Sequence, residues 1–440
     1  MVLKNLSFFL ISVNLGFDRP GCGISDSVQS WMDQIQHNGE PSTQTNANKE
    51  NVAKEASDEE VLLHFSNEDQ VGPAYKYSVE GNTRRKRSLE NPNKNKKSCS
   101  LYIQTDPLFW VHIKDQEHEP AKIEEEILSL IAQHVKAVNR IYSDTSFDGK
   151  YKHNGYQFEV QRIKIHNDTN CKGLSKRLDN SRSQPSYYSS LELSTLDEQN
   201  PFCTPNVDVS NFLNLHSKSN HEEFCLAYVF TYRDFTGGTL GLAWVASASG
   251  ASGGICETYK RYTENINGVH HTAKRSLNTG IITFVNYNSP VPPKVSQLTL
   301  AHEIGHNFGS PHDYPSDCRP GGKSGNYIMF ASATSGDRDN NNKFSHCSKA
   351  NISAVLDAIT DGRKTNCFEE SDGAFCGNKI VEEGEECDCG FDDAECQEEC
   401  CYPRKSSQLS PEENNAKRLV NFNYIFSVAN CFSKMEIFLT

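Results

Sequence analysis

One short stretch constrains the fold of this 440-residue chain more than any other, the segment AHEIGHNFGSPHD at 301–313. In a helix, His302 and His306 lie one turn apart on the same face, with Glu303 beside the first of them. A glycine three residues further on breaks the helix and lets the chain fold back, so that His312 joins the other two. Three neutral imidazoles leave one position of a tetrahedral metal ion open. The segment therefore predicts a catalytic zinc site.

The charge and cysteine content of the chain argue against some classes of protein. With 44 basic and 57 acidic residues the formal net charge is −13, which argues against nucleic acid as the main partner. Sixteen cysteines predict disulfides in an oxidising compartment, namely the secretory pathway, the cell surface or the extracellular space. Residues 1–17 have the short apolar run of a signal peptide, but Asn14 interrupts it, and a non-native start is the alternative. No run in the sequence is long enough to span a bilayer.

A cluster of four basic residues follows a polar stretch of the chain. The cluster consists of Arg84, Arg85, Lys86 and Arg87. Residues 23–82, which precede it, are rich in Asn, Gln, Ser and Glu, and we expect them to be loose or only partly folded. A subtilisin-like processing protease cuts exposed clusters of this kind, here after Arg87. A solvated charge run or a nuclear signal is the alternative.

Hydrophobic periodicity beyond this cluster predicts alternating strands and helices. Apolar residues recur at helical spacing over 121–142, which predicts a long amphipathic helix. Residues 156–165 alternate like a strand, with a phase slip near Gln161 that indicates a bulge. The helix with the histidines follows Pro293, and Ser296 is its expected N-cap. Further strands are expected at 99–106, 225–231, 240–246 and 280–286. The alternation favours an α/β domain with a mixed sheet.

The chemistry of the histidine segment is that of a hydrolase. Water at the open position of zinc would lose a proton near neutral pH. Glu303 can take this proton during attack on a peptide carbonyl and then hand it to the leaving nitrogen. The alternative is that the three histidines are ordinary core or surface residues, but their spacing around a glutamate and a glycine argues against it.

The histidine segment and its surroundings resemble a known family. HEIGHNFGSPHD is similar to the metzincin pattern H-E-x-x-H-x-x-G-x-x-H, and Asp313 is typical of the adamalysin branch, which includes the ADAM proteases. NYIMF resembles the Met-turn of that clan, with Met329 as the apolar floor beneath the zinc. Segments over most of 98–370 resemble the Kuzbanian-type ADAM proteases. The resemblance implies a metzincin fold with a mixed, mainly parallel twisted sheet and long helices.

The resemblance also implies a function and a class of partners. Kuzbanian-type relatives are zinc endopeptidases that cleave the ectodomains of membrane proteins, Notch-type receptors among them, near the cell surface. Protein substrates of the type I membrane class are therefore the expected partners, and Zn²⁺ is the expected cofactor. The strand around 242–245 is similar to the sheet edge that pairs with an extended substrate. Family members are single-pass membrane proteins, whereas this sequence contains no span.

The family pattern implies some of the disulfide pairs of this sequence. Carried over to this sequence, the pattern pairs Cys99 with Cys225, Cys256 with Cys367, and Cys318 with Cys347. Cys171 and Cys203 lie in an insertion at 167–205 that the relatives lack, so we expect them to pair with each other.

The resemblance divides the chain into four segments. Residues 1–87 are a shortened prodomain with a signal-like start, and 88–370 are the metalloprotease catalytic domain. Residues 371–405 open a partial, cysteine-rich disintegrin domain, and 406–440 have no family resemblance. Cys22 is similar in context to the prodomain cysteine that occupies the open position of zinc and keeps the enzyme latent. An unpaired thiol without such a role is the alternative.

Two functions from different classes follow. The first is an active zinc protease that processing releases. The second is a catalytically incompetent, truncated fragment that acts as a binding or decoy protein. The intact histidine segment with Glu303 favours the protease, whereas the shortened ends favour the fragment.

We predict cleavage between Arg87 and Ser88 in the secretory pathway. Replacing all four residues of the basic cluster with alanine removes the charges that a processing protease binds, so this cleavage should stop. N-terminal sequencing of the secreted protein should read Ser-Leu-Glu. An intact N-terminus together with full proteolytic activity would refute the processing hypothesis.

Overall fold

A six-stranded sheet forms the centre of the protein. Most of its strands lie in the segments where the sequence predicts strands. The computed structural model describes residues 21–39, most of 96–371 and parts of 377–404. Gaps in the second range lie at 151, 168–170, 172–200, 204–206, 250–251 and 267–268. The strands of the central sheet are β1 (Gly21–Cys22), β2 (Ser98–Thr105), β3 (Gln157–Ile165), β4 (Leu226–Thr231), β5 (Thr239–Ala243) and β8 (Thr279–Thr283).

The sheet has the order β1-β5-β8-β4-β2-β3, and all its neighbours are parallel except β5 and β8. Every residue of β2 and β4 is buried, as expected for parallel strands covered on both faces. In the pairing of β2 with β3 the register skips Gln161, so the predicted bulge is confirmed. The predicted fold class, α/β with a mixed and mainly parallel sheet, is also confirmed.

In the described part of the chain, four further strands lie outside the central sheet. β6 (Lys260–Ile266) and β7 (Val269–Arg275) form an antiparallel hairpin, and β9 (Val285–Asn286) pairs with β10 (Ser289–Pro290). The helices are α1 (Asp26–His37), α2 (Pro107–Lys114), α3 (Pro120–Ser143), α4 (Val209–Ser217), α5 (Pro293–Asn307) and α6 (His346–Thr360). Short 3₁₀ helices cover Pro201–Cys203 and Thr236–Gly238.

Helix α3 packs against α5, which carries the histidine segment. The apolar positions at helical spacing on α3 are buried, Ile127 and Ile131 among them, and the hydroxyl of Tyr142 donates to the carbonyl of Ala301 (3.0 Å). The expectation that Ser296 caps α5 is wrong. The helix begins at Pro293, whose fixed φ suits the first helical turn.

Ser296 instead lies inside the helix, where it is buried and bonds to α3. Its Oγ is 2.8 Å from Nε2 of His134, and it also donates to the carbonyl of Pro293 (3.0 Å). A hydroxyl in this position joins two helices instead of ending one.

Helix α1, a folded part of the region 23–82 that is expected to be loose or only partly folded, covers the opposite face of the sheet. Met32 and Ile35 are fully buried, and the ring of Trp31 lies 5.1 Å from that of Trp244. Ser25 caps the helix by accepting from the backbone of the third residue on (3.4 Å). A narrow apolar stripe within a polar composition is enough to dock this helix.

Disulfides join distant parts of the catalytic region. The structure contains the pairs Cys99–Cys225, Cys171–Cys203, Cys256–Cys367 and Cys318–Cys347, which are the pairs expected from the sequence. Further along, Cys387 pairs with Cys401 and Cys389 with Cys396. Cys22 is the free cysteine among the described residues.

Arg162 is one of the residues that attach the segment after 371 to the edge of the sheet. The guanidinium of Arg162 on β3 lies 5.1 Å from the ring centre of Tyr102 and 4.6 Å from that of Phe391. The same guanidinium forms ion pairs with Asp392 (2.9 Å) and Glu395 (2.6 Å). Cation–π and charge-assisted contacts therefore hold this segment against β2 and β3.

Several expectations concern residues outside the described part of the chain. These are the signal-like start at 1–17, the basic cluster at 84–87, most of the insertion at 167–205 and the tail at 406–440. Of the helices that the structure does describe, none has both the length and the apolar composition needed to cross a bilayer.

The buried imidazole of His134 makes stability depend on pH. Burial lowers the pKa of His134 to about 4, whereas the unfolded chain binds a proton near pH 6.5. Below pH 6.5 the unfolded state therefore takes up a proton that the folded state excludes, and the free energy of unfolding falls. Between pH 7 and pH 5 this one group should cost about 2 kcal/mol.

We expect His134→Gln to reduce that loss by about 2 kcal/mol, because glutamine keeps a polar group opposite Ser296 but does not titrate. Urea unfolding at pH 7 and pH 5 measures the difference. His118→Gln, which replaces an exposed imidazole, is the matched control and should leave the loss unchanged. Equal losses in the wild type and in His134→Gln would contradict this account.

Candidate metal centre

Helix α5 and the turn after it bring three imidazoles together. The Nε2 atoms of His302 and His306 lie 3.1 Å apart. The helix ends before Gly309, which has a φ of 103°, and a Cβ at this position would lie 2.4 Å from the side chain of Val355. The turn places the ring of His312 5.3 Å and 4.8 Å from the other two rings. The three rings therefore converge.

Hydrogen bonds on the outer nitrogens fix the orientation of two of these rings. Nδ1 of His302 donates to the carbonyl of Ile328 (2.6 Å), and Nδ1 of His306 donates to that of Ser310 (2.7 Å). Each ring thus turns an unprotonated Nε2 toward the centre. Burial lowers the pKa of His302 to about 4, that of His312 to about 3 and that of His306 well below its usual value. All three are neutral at physiological pH, as metal ligands must be.

The centre contains buried polar atoms that fit a bound cation. Within the described part of the chain, Nε2 of His312 and Oε1 of Glu303 have no hydrogen-bond partner. Such an atom ordinarily destabilises the fold by about 1–3 kcal/mol, and a metal ion at the centre would supply the missing partner of the His312 nitrogen. The ligand nitrogens of the three histidines and Sγ of Cys22 all lie within 4.8 Å of one another. Three imidazoles and a thiol fit a metal ion of borderline softness.

The carboxylate of Glu303 lies directly against strand β5. A Cβ on Gly241 would lie 2.6 Å from Oε1 of Glu303, so the glycine provides the space for this carboxylate. Burial raises the pKa of Glu303 to about 8, an effect that a neighbouring cation opposes.

Met329 packs against α5 between the two helical histidines. It is fully buried, and a Cβ on Gly305 would lie 2.4 Å from its Sδ, so the glycine permits the close approach. The carbonyl of Met329 accepts from the backbone of Asp313 (2.9 Å). The Asp313 carboxylate in turn accepts from the hydroxyls of Ser345 (2.6 Å) and Ser348 (2.8 Å) at the start of α6. The residue after the third histidine is thereby fixed to a second helix.

Cys22 reaches the centre from the N-terminal segment. Its Sγ lies 3.4 Å from Nε2 of His306 and 3.7 Å from Oε2 of Glu303. Burial, and secondly the charge of Glu303, raise the pKa of the Cys22 thiol. The thiol therefore keeps its proton unless a cation lies beside it.

The backbone around Cys22 fills a cleft beside β5. Gly23 donates to the carbonyl of Gly241 (2.8 Å) on one side, and Cys22 donates to that of Ala331 (3.2 Å) on the other. A Cβ on Gly21 would lie 2.2 Å from the Ala331 oxygen. This segment therefore occupies the cleft as an extra strand between β5 and the wall around Ala331.

A family model decides the classification of the chain. Residues 124–358, more than half of the sequence, match the reprolysin-like metallopeptidases of family M12B. The chain belongs to this family. The predicted resemblance to the ADAM proteases is confirmed by its relatives as well.

Three relatives of this reprolysin-like protein are similar over much of its length. It is 44% identical over 416 residues to the Disintegrin and metalloproteinase domain-containing protein 10 homolog of Caenorhabditis elegans, covering 89% of this chain and 39% of that protein. It is 46% identical to Disintegrin and metalloproteinase domain-containing protein 10 of Homo sapiens (72% and 37% covered) and 47% identical to that of Bos taurus (70% and 36%). The chain thus spans less than two fifths of the length of these relatives.

Two residues that hold the reprolysin-like centre in place are missing from the sequence-based expectations. The first is Gly241, described above. The second is Asn307, whose side-chain amide donates to the carbonyls of Trp244 (2.9 Å) and Thr279 (3.3 Å) and accepts from the hydroxyl of Tyr228 (2.5 Å). No residue pattern in a single sequence distinguishes these two positions from an ordinary glycine and asparagine.

We predict that Gly241→Ala lowers peptide hydrolysis by about tenfold or more but leaves metal content unchanged. The added methyl group would displace the Glu303 carboxylate without touching the imidazoles. Metal analysis and a fluorogenic peptide assay measure the two effects. Thr239→Ala on the same strand is the control and should retain both. An unchanged rate for Gly241→Ala would show that the carboxylate has room to move aside.

Proposed function

We propose that this protein is a zinc endopeptidase, with the three histidines of the centre as metal ligands and Glu303 as the general base. The observation that carries the proposal is the convergence of three buried, neutral imidazoles beside an unpartnered carboxylate oxygen. Three imidazoles with a fourth position for an exchangeable ligand are a typical donor set of catalytic zinc. When bound, zinc supplies a Lewis acid that polarises a peptide carbonyl and acidifies water.

Glu303 is the group placed to move a proton. Its Oε1 has no hydrogen-bond partner among the residues described and lies against Gly241 at the floor of the cleft. In ionised form it would take a proton from the attacking water and pass it to the amide nitrogen of the cleaved bond. Met329 would support the ligand-bearing helix from below, through its contact at Gly305.

Strand β5 would hold the substrate. In the structure, the edge of β5 that faces away from β8 pairs with β1. This edge can therefore bind an extended peptide backbone. A substrate chain in the same cleft, after β1 has left, would lie next to Glu303 and the histidines. Main-chain pairing along β5 would then orient a peptide bond for hydrolysis.

The position of Cys22 supports a latent precursor. As a thiolate it would complete the coordination of zinc and exclude water from the centre. In this proposal residues 1–87 are the prodomain, 88–370 the catalytic domain and 371–405 a partial disintegrin domain. Cleavage after Arg87 by a subtilisin-like protease would break the covalent connection between Cys22 and the catalytic domain.

The substrate class rests on the resemblance and the relatives rather than on the geometry of the site. We propose protein substrates of the type I membrane class, Notch-type receptors among them, shed near the cell surface. The disulfides of the catalytic region support a location in the secretory pathway or outside the cell. A catalytically incompetent decoy would not need the buried Glu303 that the centre retains.

We predict that Glu303→Ala keeps its zinc but loses turnover by about 10²–10⁴-fold, because the ligands remain while the proton acceptor is gone. His302→Ala should lose both, because two imidazoles bind zinc much more weakly than three. Metal analysis and peptide hydrolysis after processing separate the two effects.

Exposed His270→Ala is the control and should leave zinc content and rate unchanged. Undiminished zinc in His302→Ala would refute the ligand assignment. Full turnover in Glu303→Ala would refute the role of the general base.

A further inference from the structure

The β6–β7 hairpin has an inner face, and the carboxylate on this face is paired with neighbouring side chains of the fold. Glu264 accepts from the indole of Trp31 (2.8 Å) and forms an ion pair with Arg275 (2.8 Å). Arg275 also donates to the side chain of Asn214 on α4 (2.7 Å). The carboxylate on this face therefore binds inward and does not neutralise charges outside.

Glu257, just before the hairpin, is also paired inward. Its carboxylate lies 2.7 Å from the ammonium of Lys260 and 3.9 Å from that of Lys364, and it accepts from the backbone of Gly253 (2.7 Å). Both acidic side chains near the root of the hairpin are thus occupied.

The outer face of the hairpin carries positive charge. Arg261 and Lys274 are exposed and directly opposite each other in the β6–β7 register. Like charges at opposed positions destabilise a strand pair. Within the described part of the chain, neither forms an ion pair with a carboxylate. Such a pair is unexpected on a chain with a net charge of −13, where carboxylates are plentiful.

The neighbourhood of this pair adds a third cation and an aromatic platform. The ammonium of Lys274 lies 5.5 Å from the ring centre of Tyr259, whose hydroxyl donates to the carbonyl of Lys218 (3.1 Å). Lys218 is exposed and also follows the C-terminus of α4, where a cation is favourable in itself. Arg261 and Lys274 are therefore the central cations of the patch, and Lys218 extends it.

We propose that the outer face of the hairpin, around Arg261, Lys274 and Lys218, binds a linear sulfated polysaccharide. The face next to Arg261 and Lys274 is polar, since Thr263 and Thr272 pair through their hydroxyls (3.1 Å), which leaves one hydroxyl proton free to donate to a sulfate. None of the described side chains on this face is a buried aromatic or aliphatic anchor of the kind on which protein interfaces depend. A disulfide-rich protein lies in a compartment where sulfated polysaccharides are the abundant polyanions and nucleic acids are not.

The test uses the full chain, with the basic cluster at 84–87 replaced by serine in every sample so that it does not contribute. The probe is a fluorescein-labelled, size-fractionated heparin fragment, titrated at about 0.1 M salt and at higher salt. Arg261→Ser/Lys274→Ser should weaken binding by about tenfold or more. The dependence of log Kd on log salt should become shallower by about one unit per cation removed.

The matched control is Arg319→Ser/Lys323→Ser, which removes one exposed arginine and one exposed lysine elsewhere and gives the same net charge. It should bind heparin like the parent chain. An equal loss in this control, or none in the hairpin variant, would overturn the proposal. Because binding is read without turnover, the result is independent of the proposed protease activity.

Two further probes distinguish a sulfated polysaccharide from other ligands that could bind this face. Polyglutamate should compete only weakly, and competition equal to that of heparin would assign the face to an acidic peptide. N- and O-desulfated heparin should fail to bind. The stretch 50–69 of the chain carries seven carboxylates, and if it covered the face, hairpin-dependent heparin binding would be absent and the proposal would fail.

Discussion

The position of helix α5 depends on the side chain of Asn307 at its last turn. Its amide joins the helix to the backbone of β8 and of the segment after β5, and the Tyr228 hydroxyl completes its hydrogen bonding. Each of these groups is buried, so losing one would leave the others unpaired in an apolar surrounding. Because His306 directly precedes Asn307 and His302 lies five residues before it, the geometry of the metal centre follows from this anchor. Gly305 and Gly309 allow the side chains of Met329 and Val355 to approach the backbone closely, and they can do so only because this anchor holds the helix in place.

Regular periodicity explains what could be predicted from the sequence. The helix expected at 121–142 is observed at Pro120–Ser143, because its apolar stripe is continuous and faces one core. The sequence predicts that β5 runs to 246, but the strand ends at Ala243. Beyond it, the backbone of Ala246 donates to the carbonyl of His306 (3.0 Å), so the chain leaves the sheet for the end of α5. Such a tertiary partner has no signal in the local pattern.

In the candidate site, too, local geometry could be predicted from the sequence and tertiary contacts could not. The spacing of the three histidines and Glu303 was sufficient to place them on a helix and the turn after it, since this geometry is local. The attachment of Asp313 to the start of α6, the space at Gly241 and the role of Ser296 between two helices could not be predicted. Each depends on residues far away in the sequence that meet only after the sheet has formed. Helix α1 is not predicted because three buried positions among polar residues, only two of them apolar, are too few to raise the average hydrophobicity of the segment.

The contact between Trp31 and Trp244 gives the protein a spectroscopic reporter of its own. The chain has three tryptophans, and two of them form this pair, one on the N-terminal segment and one on the body of the fold. Departure of the segment that carries Cys22 would remove one indole and expose the other to water. Intrinsic fluorescence would then record that departure in real time, without a label and without a substrate. The same packing that closes the cleft thus makes its opening visible.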